Sequence, residues 1–113
     1  MSSVQEPTCD VNATCYCPLA NVVNVLGRKY AMQLFSIISA QESLRFVEIE
    51  NELSKASTST ISKRLDEFEE VGLISRTQFD EIPPHVEYEL TEKGKELRNH
   101  LKSLLEWKMN ESN

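Results

Sequence analysis

The sequence has no hydrophobic run long enough to cross a membrane, and it contains little glycine or proline. No segment approaches the roughly 18 consecutive apolar residues that a transmembrane helix needs. The start, MSSVQEPTCD, lacks both the basic and the apolar part of a secretory signal. We therefore expect a cytoplasmic protein without membrane contact. Three glycines and four prolines in 113 residues leave room for few tight hairpins, so a single helix-rich domain is expected.

Positive charge is also scarce, and it is concentrated in one place. The net charge is -6, yet residues 55–64 contribute +3, whereas residues 65–91 contribute -7. The segment LSKASTSTISKRL, Leu53 to Leu65, has six hydroxyl side chains, three basic ones and no acid. Because phosphate binding depends on local rather than total charge, an acidic chain with this segment remains compatible with nucleic acid.

Four uses of the hydroxyl-rich segment come into question: a hydrolase nucleophile, a phosphorylation tract, a solvated loop and a DNA-reading helix. No G-x-S-x-G motif occurs, and only His85 and His100 could serve as the base of a hydrolase, so we expect no enzyme. The segment by itself is equally consistent with simple helix capping and solvation. The predicted helices and strands around the segment distinguish between these uses.

Apolar spacing predicts five helices and one hairpin. A short helix runs from Pro18 to Leu26, a more apolar one covers roughly Lys29–Ser39, and a short acidic one carries Phe46, Ile49 and Leu53. After a tight turn at Lys55-Ala56, Ser57 caps a helix that buries Ile61, Leu65 and Phe68 and stops at Gly72. Two alternating strands, LISRTQF and HVEYEL, are joined by residues 80–84, and Thr91 caps a last helix to about Met109.

This order predicts a mainly α (α+β) fold, a winged helix-turn-helix with a two-stranded wing and a long C-terminal dimerisation helix. We expect a flexible arm over residues 1–14, the folded domain over 15–109 and a flexible tail over 110–113. In this frame Ser59, Ser62, Lys63 and Asp66 point away from the core. Ser57, Thr58 and Thr60 surround a helix N-terminus, which attracts phosphate oxygens.

Several motifs resemble one family of transcription regulators. The segments CPLANVVNVLGRKYAMQLF, LRFVEIENEL, STSTISKRLDEFEEVGLISR and PPHVEYELTEKG, followed by a tryptophan, are similar to HxlR-type regulators, relatives of MarR. The resemblance covers Cys17 to about Trp107. It implies a dimeric winged-helix DNA-binding protein in which Ser57–Arg64 begins the recognition helix and Arg76–Glu87 forms the wing.

The expected DNA contacts lie on the turn, the helix start and the wing: Lys55, Ser57, Thr58, Ser59, Thr60, Ser62, Lys63, Arg64, Arg76 and His85. The sequence departs from the family where Arg28 and Tyr30 replace a glycine and a tryptophan, and where Lys55 replaces a turn glycine. His85 stands at the position of a common wing-tip arginine, and the hairpin is otherwise acidic.

The three cysteines, Cys9, Cys15 and Cys17, are spaced C-x5-C-x-C, which is not a common zinc spacing and lacks a fourth ligand. We therefore expect neither a metal nor another cofactor. Cys17 matches the position of a thiol sensor in some HxlR-type members, and it precedes a helix start that would stabilise a thiolate. Two roles of Cys17 remain open: a redox role, with Cys15, Cys9 or Cys17 of the partner subunit as the second thiol, and a packing role.

The last helix has an apolar stripe wider than contact with one core explains, which favours a homodimer. The expected interface comprises Leu19, Val22 and Val23 of the first helix and Leu101, Leu104, Leu105 and Trp107 of the last. Packing of the first helix against the last within one chain is the alternative explanation of the stripe.

For the whole protein we expect a regulator that binds a pseudo-palindromic double-stranded DNA site. The alternative is a winged-helix module that docks to proteins and does not bind DNA.

Overall fold

The computed structural model describes residues 14–111 and shows a winged helix-turn-helix. After a 3-10 turn at Cys17–Leu19, the helices are α1 (Ala20–Leu26), α2 (Ala31–Ser39), α3 (Phe46–Glu52), α4 (Thr58–Glu70) and α5 (Glu92–Glu111). The strands are β1 (Leu44–Arg45), β2 (Ile74–Phe79) and β3 (His85–Leu90). The predicted order of elements is confirmed, and α5 continues two residues past its predicted end at Met109.

The core lies between α2, α3, α4 and the sheet. Leu34 of α2 and Ile49 of α3 are completely buried, and Phe68 of α4 meets Phe35 edge to face at a ring-centroid distance of 5.9 Å. The predicted inward face of α4, Ile61, Leu65 and Phe68, is confirmed. Burial of this face fixes which side of α4 can contact another molecule.

The sheet has three antiparallel strands in the order β1-β3-β2. The predicted hairpin pairs Ile74 with Leu90 and Phe79 with His85 at its two ends. Leu44–Arg45 forms a short third strand, because Leu44 pairs with Tyr88 on the open edge of β3. This pairing anchors the start of α3, where the carboxylate of Glu48 accepts a hydrogen bond from the backbone of Arg45.

The turn that follows α4 packs closely against the start of α5. Gly72 ends the α4 region with φ +83°, a left-handed conformation suited to glycine. The hydroxyl of Thr91 donates to the Gly72 carbonyl at 2.6 Å and accepts from the Gly94 amide at 3.1 Å, which confirms Thr91 as a cap. A Cβ on Gly94 would overlap the carbonyl oxygen of Leu73, so α5 can approach β2 this closely only with glycine there.

Candidate nucleic-acid interface

The start of α4 is organised by Ser57, as predicted. Its hydroxyl oxygen accepts a hydrogen bond from the backbone of Thr60 at 3.1 Å. The same hydroxyl lies 2.9 Å from the Thr60 hydroxyl and 3.2 Å from that of Ser59. Ser57 and Thr60 therefore stabilise the helix end, and in this arrangement their hydroxyls are already hydrogen-bonded.

Thr58 connects the two helices of the helix-turn-helix. Its hydroxyl donates to the carboxylate of Glu50 on α3, 2.6 Å away. A hydrogen bond to a charged acceptor is stronger than a neutral one, so this contact holds α4 at a fixed position against α3. Glu50 was not singled out from the sequence, because the contact spans eight residues and leaves no periodic signal.

The outward face of α4 carries the side chains that remain available for a ligand. Ser59, Ser62, Lys63 and Asp66 are all exposed, as predicted. In the part of the chain that the structure describes, neither Ser62 nor Lys63 makes a side-chain hydrogen bond or ion pair. Hydroxyl and ammonium groups on the N-terminal half of a helix are suited to phosphates and base edges.

Arg64, one of the expected DNA contacts, makes its observed contacts within its own chain. Its guanidinium donates from Nε to the carbonyl oxygen of Lys29 at 3.0 Å and from one terminal nitrogen to Glu67 at 3.1 Å. Its side chain is only 13% exposed. Arg64 sits at the border of the inward face, and its long side chain reaches the loop between α1 and α2, so little of it remains to contact another molecule.

The turn between α3 and α4 presents Lys55. Its side chain is exposed, and across residues 14–111 it has no ion-pair partner. The carbonyl oxygen of Lys55 accepts a hydrogen bond of 3.4 Å from the Tyr30 hydroxyl. The turn therefore lies against the α1–α2 loop.

The wing is net acidic, whereas the turn and the N-terminal half of α4 are net basic. Arg76 is exposed on β2. His85, the expected wing-tip contact, is instead folded against the hairpin: its ring stacks on Phe79 at 4.8 Å, and its two ring nitrogens lie 3.7 Å from Glu81 and 3.0 Å from Glu87. With a side chain only 13% exposed, His85 has little surface left for DNA.

The cysteines lie before α1. Cys15 is disulfide-bonded, and Cys17, which starts the 3-10 turn, has a half-buried thiol. Cys9 lies outside the described residues. Within the described range no cluster of three or more histidine, cysteine or acidic side chains could hold a metal ion.

Helices α1 and α5 expose much of the apolar surface expected at an interface. The exposed fraction of the residue is 53% for Leu19 in the 3-10 turn, 59% for Val23 of α1, and 54%, 58% and 61% for Leu104, Leu105 and Trp107 of α5. Val22 and Leu101 are different, because both are half-buried and pack against the core of their own chain. The structure thus separates two packing residues from an exposed apolar face.

Comparisons with known proteins agree with this architecture. The family model described as HxlR-like helix-turn-helix matches residues 25–113. The chain belongs to the HxlR-like family. An uncharacterized HTH-type transcriptional regulator of Halalkalibacterium halodurans is 30% identical over 96 residues, covering 85% of each chain. This HxlR-like chain is accordingly a transcriptional regulator.

Solved structures of related regulators have the same fold. A transcriptional regulator of the MarR family from Enterococcus faecalis V583 has a TM-score of 0.78 at 29% identity, covering 90% of this chain and 93% of that one. The redox regulator HypR in its oxidized form has a TM-score of 0.70 at 31% identity, covering 86% of this HxlR-like chain and 97% of HypR.

Proposed function

We propose that this HxlR-like regulator binds double-stranded DNA as a homodimer, with the N-terminal half of α4 in the major groove. The observation that carries the proposal is the exposed face of Ser59, Ser62 and Lys63 on a helix whose opposite face is fixed in the core. Acids on α4 begin at Asp66, so the negative half of the helix would stay farther from the phosphates.

The side chains have different roles in this proposal. Lys63 and Lys55 contact backbone phosphates, which adds affinity for any sequence. Ser59 and Ser62 approach base edges, which adds preference among sequences. Thr58, Ser57 and Thr60 act mainly by holding the helix start in place, although the nearby backbone amides can still bind a phosphate oxygen.

The homodimer part of the proposal rests on the exposed apolar side chains of Leu19 in the 3-10 turn and of Leu104, Leu105 and Trp107 in α5. Large exposed apolar surface on a small domain is typical of an interaction site. A two-fold interface through Leu104, Leu105 and Trp107 would present two copies of α4 to one face of DNA. The matching DNA site would be partly palindromic, with half-sites about 34 Å apart.

Salt dependence provides the first test. We expect the protein to bind random duplex DNA with an affinity that falls steeply as salt rises, because bound phosphates release counterions. The acidic wing favours the competing possibility, a module that docks to proteins, and such a module would show almost no binding to random DNA. Footprinting on the DNA upstream of the protein's own gene would then locate a specific site.

Two observations support thiol-redox control as a second element of the function. Cys17 lies beside α1, which carries part of the exposed apolar surface, so a change at its sulfur could alter dimer geometry. HypR, 31% identical to this chain, is a redox regulator. We propose that oxidation at Cys17 lowers DNA affinity.

We also propose a cytoplasmic location. Within residues 14–111 the structure has no helix with the length and apolar character of a membrane span.

A further inference from the structure

A shallow, open cleft lies between the α1–α2 loop and the side of α4. The cleft has a volume of about 750 Å³ and is open to solvent. It is lined by Val23, Asn24, Gly27, Arg28, Lys29 and Arg64. Three of these six residues are basic, and the other three are uncharged.

The cleft keeps a positive charge although an acid lies at its edge. The carboxylate of Glu67 is 3.7 Å from Nε of Arg28 and 3.1 Å from a terminal nitrogen of Arg64. One carboxylate therefore compensates only one of the two arginines. Lys29 adds a second uncompensated charge, since no acid within residues 14–111 forms an ion pair with it. A surface with an excess charge of one sign attracts an anion of the opposite sign.

The backbone of this loop is held firmly. The Lys29 carbonyl accepts from Arg64, and the Tyr30 hydroxyl donates to the Lys55 carbonyl. Tyr30 itself has φ 70°, a left-handed conformation that a bulky residue adopts only when its surroundings enforce it. The Nζ atom of Lys29 lies 5.3 Å from the centre of the Tyr30 ring, which directs the side chain along the surface.

We propose that this cleft is a further DNA-backbone site, in which Lys29 and Arg28 bind a phosphate beside the groove that α4 enters. The inference rests on the proposed function, because it assumes that α4 binds DNA. The contacts of the loop with Lys55 and Arg64 place the cleft beside both the turn and α4. The basic groups therefore form one connected surface, which suits a linear polyanion better than a single small anion.

The acidic character of the wing is a further reason to expect a phosphate contact at this site. The hairpin region carries one exposed basic side chain, Arg76, against Asp80, Glu81, Glu87 and Glu89. Such a wing repels phosphates, so positive charge for backbone contacts must come from another part of the surface, and Arg28 and Lys29 provide it. Backbone contacts beside a recognition helix fix its register in the groove.

The test measures binding of fluorescent random duplex DNA between roughly 50 and 200 mM salt. Lys29→Ala is the main variant, since it removes the ammonium group and retains the carbonyl that Arg64 contacts. Lys29→Arg is the conservative variant. Lys102→Ala, on the exposed surface of α5, is the control for an equal loss of net charge. Lys63→Ala reports on α4.

We expect Lys29→Ala to lower the salt slope by about 0.9, so that its affinity falls roughly threefold less than that of the wild type over this salt range. Arg28→Ala should act in the same direction, Lys29→Arg should restore the slope, and Lys102→Ala should leave it unchanged. Circular dichroism and urea unfolding establish that each variant is folded.

The inference is overturned if Lys63→Ala lowers the slope while Lys29→Ala and Arg28→Ala keep the wild-type value. In that case the proposed function stands, and only the additional contact is wrong. It is also overturned if Lys102→Ala lowers the slope as much as Lys29→Ala, because net charge alone then explains the change. Absence of salt-dependent binding by the wild type would overturn both the inference and the proposed function.

Discussion

Arg64 donates a hydrogen bond from Nε to the carbonyl oxygen of Lys29, and this contact joins α4 to the loop between α1 and α2. The two residues are 35 positions apart in the chain. The guanidinium also contacts Glu67, so one side chain stabilises both a neighbouring loop and its own helix. The positive charge of Arg64 thus mainly stabilises the fold. Its contribution to the electrostatic potential of the cleft is secondary.

Replacing Arg64 with alanine should destabilise the protein far more than replacing Lys63. The Arg64 side chain is largely buried, and its loss removes the donor to the Lys29 carbonyl and one of the two basic partners of the Glu67 carboxylate, which costs roughly 1–3 kcal/mol. Lys63→Ala, at an exposed site, should change the free energy of unfolding by less than about 0.5 kcal/mol. Urea unfolding measures both, and equal stabilities would contradict the structural role of Arg64.

The sequence was sufficient to predict the helices and the face of α4, because these follow from local periodicity. Ile61, Leu65 and Phe68 recur at helical spacing, and residues between them must face solvent. The caps at Ser57 and Thr91 were predictable for the same reason, since a hydroxyl before a periodic segment satisfies nearby backbone amides.

Contacts between distant residues were not predictable in this way. The strand Leu44–Arg45 is too short for an alternating pattern, and its pairing with β3 joins positions 44 residues apart. The orientation of His85 depends on stacking against Phe79 across the hairpin. The role of Lys29 depends on the approach of a loop to α4, which no spacing within the sequence reveals.

The two exposed positions Lys63 and Ser59 should affect DNA binding differently. Lys63→Ala should weaken binding to all sequences and lower the salt slope by about one unit, because a phosphate contact is lost. Ser59→Ala should change the ranking of sites, because a hydroxyl near a base edge distinguishes bases. Fluorescence anisotropy measures the affinity of each variant for a footprinted site and for random DNA. An equal loss on both DNAs for both variants would contradict this division of roles.

Charge placed on the exposed face of α5 should produce a monomer. Leu104→Glu with Leu105→Glu is the better test pair, because Leu101 packs on the core of its own chain. By symmetry each carboxylate would be buried opposite a copy of the same surface, which is unfavourable. Sedimentation velocity should show half the wild-type mass, and affinity for a two-half-site DNA should fall about 100-fold or more.

The control for this experiment is Asn99→Glu, which adds a charge to the other side of α5. It should sediment like the wild type and bind the same DNA equally well. A doubly substituted protein that remains folded and dimeric would show that another surface forms the interface. The expected half-site spacing of about 34 Å would then also lose its basis.

Cys17 should determine whether DNA binding responds to oxidants. Peroxide would convert its thiol to a sulfenic acid with release of water, and a second thiol would then displace another water to form a disulfide. Cys15 is already disulfide-bonded, so Cys17 of the partner subunit is the thiol that a two-fold interface near α1 could supply.

We expect peroxide to reduce DNA affinity roughly 5–150-fold, the usual range of coupling between sites, and dithiothreitol to restore it. Cys17→Ser should bind DNA normally and not respond. A wild type insensitive to peroxide, or a Cys17→Ser protein that responds like it, would show that Cys17 is a packing residue.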